Sequence, residues 1–529
     1  MPSSVPKDNA FAASSLQDVP ESAEADTAEK HSYGDILKSS ALIGGSQVLS
    51  IAIGIVRTKA MAVMLGPAGF GLMGIYTSIA DLIRSVAEMG INNSGVRQIA
   101  AAVGTADTER IALTAKVLRR TTILLGIFGA VLMVMFSLPL SSVTFGSQEN
   151  AGAIALLSLA VLFKLVADGQ GALIQGMRRI SDLAKIGVLG ALFGTILSIP
   201  LVYFLREDGV VPSIVGIAAM SLITSWWYSR KVRMQAPVMS GTQVKQESVA
   251  LLKLGSAFMA SSLMMMGAAY AVRTMILRID GLDAAGLYQA AWTLGGLYVS
   301  MILQAMGADF YPRLTGVAKD NTQVNRLVNE QAQISLLLAG PGVIATLTLA
   351  PLLMVLFYSS EFDVATEVLR WICLGMTLRV ISWPIGYIIV ARGEQTIFFL
   401  TELAWTAVNL GLAWICVEHF GLNGAGLAFF GSYVFHTVMI YVVVHRLSGF
   451  RWSAANRKTG LVFLALVAGV FCSFFLLPTL VATGLGVLAT ILSGVYSIRA
   501  LLTLVSLEQI PRPIRKLLVL FRFARIGTY

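Results

Sequence analysis

Charged residues are scarce in this sequence, where Asp, Glu, Lys and Arg make up 13% of 529 residues and hydrophobic residues make up 56%. A soluble chain of this length would need far more polar side chains to cover its surface. Cysteine and histidine are also rare, with three and four residues respectively. Because all of them are scattered singly, they offer no metal-ligand spacing and no disulfide framework. The composition therefore predicts a polytopic membrane protein without a metal or other cofactor.

The net charge of +10 does not indicate nucleic-acid binding, because the basic residues occupy short connections between apolar runs and form no docking face. Basic clusters such as Arg178-Arg179 occur in every second connection, whereas the alternate connections hold only Arg206 and Arg278. This alternation is the positive-inside pattern of membrane proteins. It predicts an even number of spans, with both termini in the cytoplasm.

Long apolar runs recur along the chain and fit membrane-spanning helices of about 20 residues. They predict an all-α polytopic membrane protein with about 14 transmembrane helices. The predicted spans cover approximately residues 38–64, 70–90, 121–143, 151–174, 184–204, 210–228, 251–276, 286–307, 332–357, 365–391, 395–417, 423–445, 460–481 and 484–505.

The two ends of the chain differ from this pattern. Residues 1–34 contain three prolines, a cluster of acids and no apolar core, which predicts a disordered acidic cytoplasmic tail and no signal peptide. Residues 506–529 place basic residues among Leu, Val and Phe. This pattern predicts a basic amphipathic cytoplasmic tail that lies on the inner membrane surface.

The first twelve predicted spans contain a faint internal repeat. Arg57-Thr58, followed by PAGF at 67–70, is echoed by Arg273-Thr274, followed by AAGL at 284–287. Because the echoes are six spans apart, they predict two six-helix bundles in parallel orientation, with two further spans appended. The predicted organisation is a tail at 1–34, a first bundle at 35–233, a linker at 234–250, a second bundle at 251–446, two additional spans at 460–505 and a tail at 506–529.

The segment from Ile51 to Leu72 carries two cations, Arg57 and Lys59, inside an apolar run that ends in the small-residue corner GPAGFG at 66–71. Each such charge costs ~2.5–3.5 kcal/mol at the bilayer centre, so intramembrane charges usually face a cavity or a partner. Two interpretations are open. Either this hairpin lines a wet cationic cavity, or the two side chains snorkel from a helix end to the headgroups.

Several segments resemble the Wzx-type flippases of the multidrug/oligosaccharidyl-lipid/polysaccharide (MOP) exporter superfamily. They are KAMAVMLGPAGFGL at 59–72, AAGLYQAAWTLGGLY at 284–298, DFYPRL at 309–314, Gly386-Tyr387, Ala391-Arg392, Glu402 and GLNGA at 421–425. The resemblance covers roughly residues 35–450, and the two tails depart from the shorter members of the family. It implies a V-shaped bundle of two lobes that works by alternating access. It also implies a cargo of undecaprenyl-pyrophosphate-linked oligosaccharide, as used for O-antigen, common antigen or exopolysaccharide.

Such a cargo carries a dense anion through the membrane, and an unpaired pyrophosphate in hydrocarbon would be prohibitive. Fixed cations in a water-filled cleft remove that barrier, and Arg is favoured for forked bonds to phosphate oxygens. The predicted substrate-binding residues are Arg57, Lys59, Arg273 and Arg379, with Arg57 and Arg273 at matching repeat positions. Arg370, near the start of its span, is expected only to snorkel.

The intramembrane acids have two possible roles. Asp81, Arg84 and Glu88 recur at helical spacing, which fits either an ion-pair ladder or a site for a coupling cation at Asp81 or Glu88. Lys164 and Asp168, four residues apart, are expected to pair.

Glu402 is a candidate for H⁺ or Na⁺ coupling or for a structural bond to an arginine, and His436 is expected to be a satisfied core histidine. The predicted gate or hinge residues are Gly66, Pro67, Gly69, Asp309 and Pro312, of which Asp309 and Pro312 are expected to end a helix at the cytoplasmic face.

Three other functions can be compared with the flippase. A multidrug/cation antiporter of the same superfamily should line its cavity with acids, whereas cations are found here. A membrane-embedded glycosyltransferase or polymerase typically needs a large outer loop, and the outer connections are short. A structural scaffold has no supporting feature. Because no nucleophile–base pair or nucleotide motif is visible, we expect a transporter and not an enzyme, acting beside a polysaccharide polymerase and a chain-length regulator.

Overall fold

The computed structural model describes residues 21–105, 107–232 and 241–504, with side chains described from residue 45 onward apart from short gaps. In these ranges the chain forms helices joined by short turns and no strand, which confirms the all-α prediction. The predicted basic tail at 506–529 and residues 1–20 of the acidic tail lie outside the described residues. The helices are α1 (Glu21–Glu88), α2 (Ile91–Gly104), α3 (Thr108–Met135), α4 (Ser137–Phe145), α5 (Ala151–Gly176), α6 (Ile180–Leu205), α7 (Val210–Ser229), α8 (Gly241–Gly316), α9 (Asn321–Thr348), α10 (Ala350–Phe357), α11 (Thr366–Ala391), α12 (Gln395–Ser448), α13 (Ala454–Leu476) and α14 (Thr479–Leu504).

Three of the long helices are broken by a glycine with a non-helical backbone: Gly66 in α1, Gly281 in α8 and Gly421 in α12. Among the described residues, 10 helical stretches are long and apolar enough to cross a membrane. Four of these stretches have 44, 50, 43 and 54 residues, about twice the length that one span needs. Each of the four therefore supplies two spans, in agreement with the predicted number of about 14.

Several predicted boundaries are wrong because helices extend beyond the apolar core. The basic stretch that was expected to be a loop before residue 121 forms α2 and the first half of α3. Asp107 caps α3 by accepting a hydrogen bond from the Arg110 backbone N–H at 2.9 Å, so polar residues can start this helix. The last two spans are separated at Leu477-Pro478, where proline lacks the backbone N–H that would continue the helix.

The predicted tail and linker are also partly helical. Helix α1 begins at Glu21 and α8 begins at Gly241, whereas the first bundle was expected from 35 and the second from 251. The first extension is rich in Glu and Ala, and the second contains Gln, Lys and Glu, all of which are good helix formers. In α1 the acids lie near the helix N-terminus, where the helix dipole favours negative charge.

The internal repeat has a constant register in the structure. Gly66 and Gly281 have matching backbone angles (φ 64°, ψ −171° and φ 88°, ψ −177°) and lie 215 positions apart. Arg206 (φ 53°, ψ −129°) and Gly421 (φ 55°, ψ −143°) match with the same offset. The 26-residue helices α5 and α11 also begin 215 positions apart. We refer to α1–α7 as the N-terminal lobe and to α8–α12 as the C-terminal lobe.

This register corrects the alignment expected from sequence. Arg273 corresponds to Thr58, one residue after Arg57, so the two arginines lie in the same helical turn of their repeats but not at identical positions. They therefore project from different sides of equivalent helices, because successive residues of an α-helix are rotated by about 100°.

The turns between helices gather at the two ends of the bundle. At one end the Arg206 side chain contacts the Met64 carbonyl oxygen at 3.4 Å, and the Arg278 side chain contacts that of Ser142 at 3.4 Å. At the other end Arg119 donates to the Ser229 carbonyl oxygen at 2.8 Å. We call the first the corner end, since it holds Gly66, and the second the basic end.

The two lobes meet backbone to backbone at the corner end. A Cβ atom on Gly71 would lie 2.5 Å from the Leu282 carbonyl oxygen, and one on Gly286 would lie 1.9 Å from that of Pro67. Phe70 inserts beside this contact into an aromatic cluster of the C-terminal lobe, with its ring centroid 5.4 Å from that of Tyr358. Only glycine permits so close an approach of two helices.

Candidate functional site

Arg273 lies half-buried near the contact between the lobes. Its Nε donates to Gln289 Oε1 at 2.7 Å, and its Nη1 donates to the Ala269 carbonyl oxygen at 3.0 Å. Gln289 lies on the second half of α8 and packs against Gly74 of α1. Asp81 is close enough to attract the guanidinium electrostatically. The side chain is thus fixed in place while keeping its positive charge.

The other two cations of the predicted substrate path lie in different surroundings. Arg57 is half-buried and makes no hydrogen bond or ion pair with any residue that the structure describes. Lys59 donates its Nζ to the Val355 carbonyl oxygen of α10 at 2.8 Å, so it ties the N-terminal lobe to the C-terminal lobe near the corner end. The structure does not bring Lys59 together with Arg379.

Asp81, Arg84 and Glu88 form the predicted ion-pair ladder. Arg84 lies 3.5 Å from Asp81 and 3.0 Å from Glu88. The ladder also reaches α5, because Arg84 lies 3.3 Å from Asp168, which pairs in turn with Lys164 at 3.0 Å as expected. The contact between Arg84 and Asp168 was not predicted. It could have been inferred, because each charge inside a membrane usually needs a partner. Cation coupling at Asp81 or Glu88 remains a prediction.

Arg379 and Glu402 are brought together in a cavity of about 370 Å³ inside the C-terminal lobe. The Arg379 guanidinium carbon lies 4.6 Å from the centroid of the Trp383 ring, and Glu402 is attracted to it electrostatically. Trp405 and Tyr433 complete an aromatic wall, with ring centroids 5.7 Å apart. The Nε atom of Arg379 and the indole N–H of Trp405 have no hydrogen-bond partner among the described residues.

The aromatic wall of this cavity was not predicted from the sequence. A possible signal was that Arg379 and Glu402 lie on helices that also carry Trp383 and Trp405. His436 also lines the cavity. It is the satisfied core histidine that was expected, because its Nδ1 lies 3.0 Å from Ser382 Oγ and the ring is buried. Arg57, Lys59 and Arg273 lie outside this cavity.

The expectation that Arg370 snorkels is wrong. The side chain is buried, and its guanidinium carbon lies 3.6 Å from the centroid of the Phe474 ring of α13. Its Nε also points to the Leu347 carbonyl oxygen at 3.5 Å. An aromatic face and a carbonyl offer a cation partial compensation for lost water, so Arg370 joins α9, α11 and α13.

The predicted gate residues fall into two groups. Gly66 forms the corner of α1, Pro67 begins the helix after it, and Gly69 lies in the first turn of that helix. Helix α8 continues through Asp309 and Pro312 to Gly316, so the helix end expected there is wrong, and the side chains of these two residues lie outside the described part. A gating or hinge role for either group remains a prediction.

Comparison with known proteins adds family information to this geometry. A family model described as "polysaccharide biosynthesis protein" matches residues 60–367. The chain is 22% identical over 414 residues to the Lipid III flippase of Escherichia coli K12, which covers 75% of this chain and 95% of the relative. It is 20% identical over 423 residues to the probable low-salt glycan biosynthesis flippase Agl15 of Haloferax volcanii, covering 79% and 84%.

Two solved structures have the same fold. The inward closed conformation of the Lipid II flippase MurJ superposes with a TM-score of 0.63 at 14% identity, covering 87% of this chain and 99% of MurJ. An inward-facing multidrug resistance MATE family transporter of the MOP superfamily superposes with a TM-score of 0.61 at 16% identity, covering 76% and 99%. The fold is therefore common to flippases and drug transporters, and the cargo must be argued from the residues of the site.

Proposed function

Because the chain belongs to the polysaccharide biosynthesis protein family, we propose that it is a flippase for undecaprenyl-pyrophosphate-linked oligosaccharide in the bacterial inner membrane. The cargo is a repeat unit of O-antigen, common antigen or exopolysaccharide. Relatives that are named as flippases support this class of activity. The protein is a transporter and not an enzyme.

The main support for the proposal is that some arginines within the membrane form salt bridges with carboxylates and others do not. Arg84 lies 3.0 to 3.5 Å from three carboxylates, whereas no described carboxylate forms a salt bridge with Arg57, Arg273 or Arg379. Keeping a guanidinium without a salt-bridge partner inside a membrane is costly. An anionic cargo offsets that cost while it is bound, and a pyrophosphate offers oxygens for forked hydrogen bonds.

Transport follows from where the two parts of the cargo can reside. The head group passes between the lobes along Arg57 and Arg273, while the polyprenyl tail stays in lipid. The basic end faces the cytoplasm, together with both termini, as the positive-inside pattern requires. Alternating access then consists of rocking the two lobes against each other. A polysaccharide polymerase and a chain-length regulator act on the delivered repeat unit.

Glu402 is the residue to which we assign cation coupling. It faces Arg379 across the C-terminal cavity, so binding of H⁺ or Na⁺ at the carboxylate would leave the arginine free for an anionic ligand. Asp81 and Glu88 are weaker candidates, since Arg84 already neutralises part of their charge.

The proposal is tested in inner-membrane vesicles from a strain that lacks the gene, with and without the protein restored. The measured quantity is the face of the membrane on which undecaprenyl-pyrophosphate oligosaccharide accumulates. We expect accumulation on the cytoplasmic face only when the protein is absent. An equal distribution in both vesicle preparations would exclude the flippase.

The C-terminal cavity favours one second candidate, a multidrug/cation antiporter. Trp383, Trp405 and Tyr433 beside Glu402 are chemically suited to a lipophilic cation. The same vesicles distinguish the two functions, because an antiporter would drive proton-dependent or sodium-dependent efflux of ethidium and leave the lipid-linked oligosaccharide where it is.

A further inference from the structure

A second cavity lies inside the N-terminal lobe, where α1, α2, α5, α6 and α7 converge toward the basic end. Its volume of about 510 Å³ is within the usual range for small-molecule sites. Among the side chains that the structure describes, none that lines it is aromatic. Side-chain amides and hydroxyls provide most of its polar lining, among them Gln47, Ser50, Asn92, Asn93, Gln175 and Ser221.

This cavity is the repeat counterpart of the cavity in the C-terminal lobe. With the same offset of 215 positions, Lys164 corresponds to Arg379 and Gly171 to Gly386, and each of these residues lines the cavity of its own lobe. The linings have diverged strongly, since Gly190 corresponds to Trp405. A cavity that occurs at the same place in both lobes with different side chains follows from the helix arrangement and not from one packing defect.

The charges at the N-terminal cavity argue against an anionic ligand. Lys164 is paired with Asp168 at 3.0 Å, and Asp168 also lies 3.3 Å from Arg84. Arg84 in turn pairs with Asp81 and Glu88. Three carboxylates thus surround two cations, so a pyrophosphate would find no uncompensated positive charge among the described side chains at this cavity. The ligand that fits is neutral.

The hydrogen-bonding groups indicate a ligand with hydroxyls. Asn92 is oriented by its Nδ2, which donates to Glu88 Oε1 at 2.8 Å, while its buried Oδ1 has no donor among the described residues. Sugar hydroxyls both donate and accept, and planar amides and serine hydroxyls do the same. Asn93, Gln175 and Ser221 line the same cavity, so their amides and hydroxyl can bond to sugar hydroxyls.

The wall of the cavity also leaves room for a ring. A Cβ atom on Gly171 would meet nothing within 4 Å, and one on Gly187 would meet only Ser50 Oγ at 3.8 Å. Both glycines sit on helices, where alanine would be the better helix former. The space that they leave is therefore available to a ligand and is not required by neighbouring side chains.

We propose that this cavity is a subsite for an uncharged sugar residue of the lipid-linked oligosaccharide, hydrogen-bonded by Asn92, Asn93 and Gln175. The inference rests on the proposed function and extends it, because it separates the recognition of the sugar from that of the pyrophosphate. The N-terminal lobe holds the sugar through neutral groups, and Arg57 and Arg273 hold the phosphates between the lobes.

The test compares two lipids on the purified full-length protein in nanodiscs. One is the undecaprenyl-pyrophosphate-linked oligosaccharide extracted from the host strain, and the other is undecaprenyl pyrophosphate without sugar. The variants are Gly171→Leu, which fills the cavity, and Gln175→Met, which keeps the side-chain length but removes its hydrogen bonds. Gly152→Leu is the matched control, since Gly152 lies on the same helix, is exposed and has nothing within 4 Å of its Cβ position.

We expect the wild type and Gly152→Leu to bind the sugar-bearing lipid about tenfold more tightly than the bare lipid, a difference of ~1.4 kcal/mol. Gly171→Leu and Gln175→Met should lose that preference and keep their affinity for the bare lipid, which also shows that they are folded. Retention of the preference in both variants, or its absence in the wild type, overturns the inference and leaves the flippase standing. Failure of the wild type to bind either lipid overturns both.

Discussion

The charges within the membrane-spanning helices divide into two kinds at the scale of single residues. Arg84, Asp168 and Lys164 satisfy one another, whereas Arg57 has no described partner. Sequence alone predicts that both kinds need an explanation, because any charge in hydrocarbon is costly. It does not separate them, since partners such as Arg84 and Asp168 come from different helices.

Removing the charge of an arginine that has no salt-bridge partner should slow transport without unfolding the protein. We expect Arg57→Gln and Arg273→Gln each to lower the rate of oligosaccharide flipping by about tenfold or more, since a hydrogen bond to a charged group contributes ~1.5–3 kcal/mol. Arg273→Lys should recover part of the rate, because lysine keeps the charge but loses the fork. The rate is measured in the vesicle assay.

Arg278→Gln is the matched control for Arg273, because it removes an exposed arginine near the end of the same helical segment. Its flipping rate should equal that of the wild type. Wild-type rates in both Arg57→Gln and Arg273→Gln would contradict the assignment of the substrate path.

Helix corners are the main feature at the scale of elements. Gly71 and Gly286 let the corners of α1 and α8 touch through their backbones. The sequence predicts these corners, because GPAGFG and its echo interrupt apolar runs with small residues. It does not predict that the two corners touch each other, since a glycine serves equally well for a turn and for a close helix contact.

A single methyl group at this contact should separate the lobes. Gly286→Ala places a Cβ atom 1.9 Å from the Pro67 carbonyl oxygen, so the backbones must move, and such overpacking typically costs ~1–3 kcal/mol. We expect a lower midpoint of thermal unfolding for the purified protein and slower flipping.

Gly316→Ala controls for the general effect of alanine on α8, because a Cβ atom there meets nothing within 4 Å. Its midpoint should stay at the wild-type value. An unchanged midpoint in Gly286→Ala would mean that the corner contact contributes nothing to stability.

At the scale of the whole molecule, the architecture was predicted well from the sequence, whereas the cavities were not. Helix number, two repeats and two appended helices were all predictable, because span length and alternation of loop charge are set by the bilayer. The cavities were not, since residues such as Gln47, Gly171 and Ser221 come from three separate helices and none is unusual alone. Helix ends were misjudged wherever polar caps such as Asp107 extend a helix beyond the membrane.

The orientation of the molecule can be tested with single cysteines. Cys373, Cys416 and Cys472 are first replaced by alanine, and one cysteine is introduced at either Gln148 or Lys319, which are exposed at the corner end and the basic end. A membrane-impermeant maleimide should label Gln148→Cys in spheroplasts and Lys319→Cys only after the membrane is opened. The reverse labelling would place the basic end outside the cytoplasm.

The corner contact determines which end of the bundle can open more easily when the two lobes move against each other. Glycine backbones, the ring of Phe70 and the Lys59 bond hold the lobes together at one end of the bundle, so we expect this end to be the pivot of the proposed rocking motion. Over a hydrocarbon thickness of ~30 Å, a relative rotation of about 10° displaces the far ends of the lobes by about 5 Å. Opening at the basic end therefore needs little motion at the pivot. Opening at the corner end requires that the contact between the two lobes break.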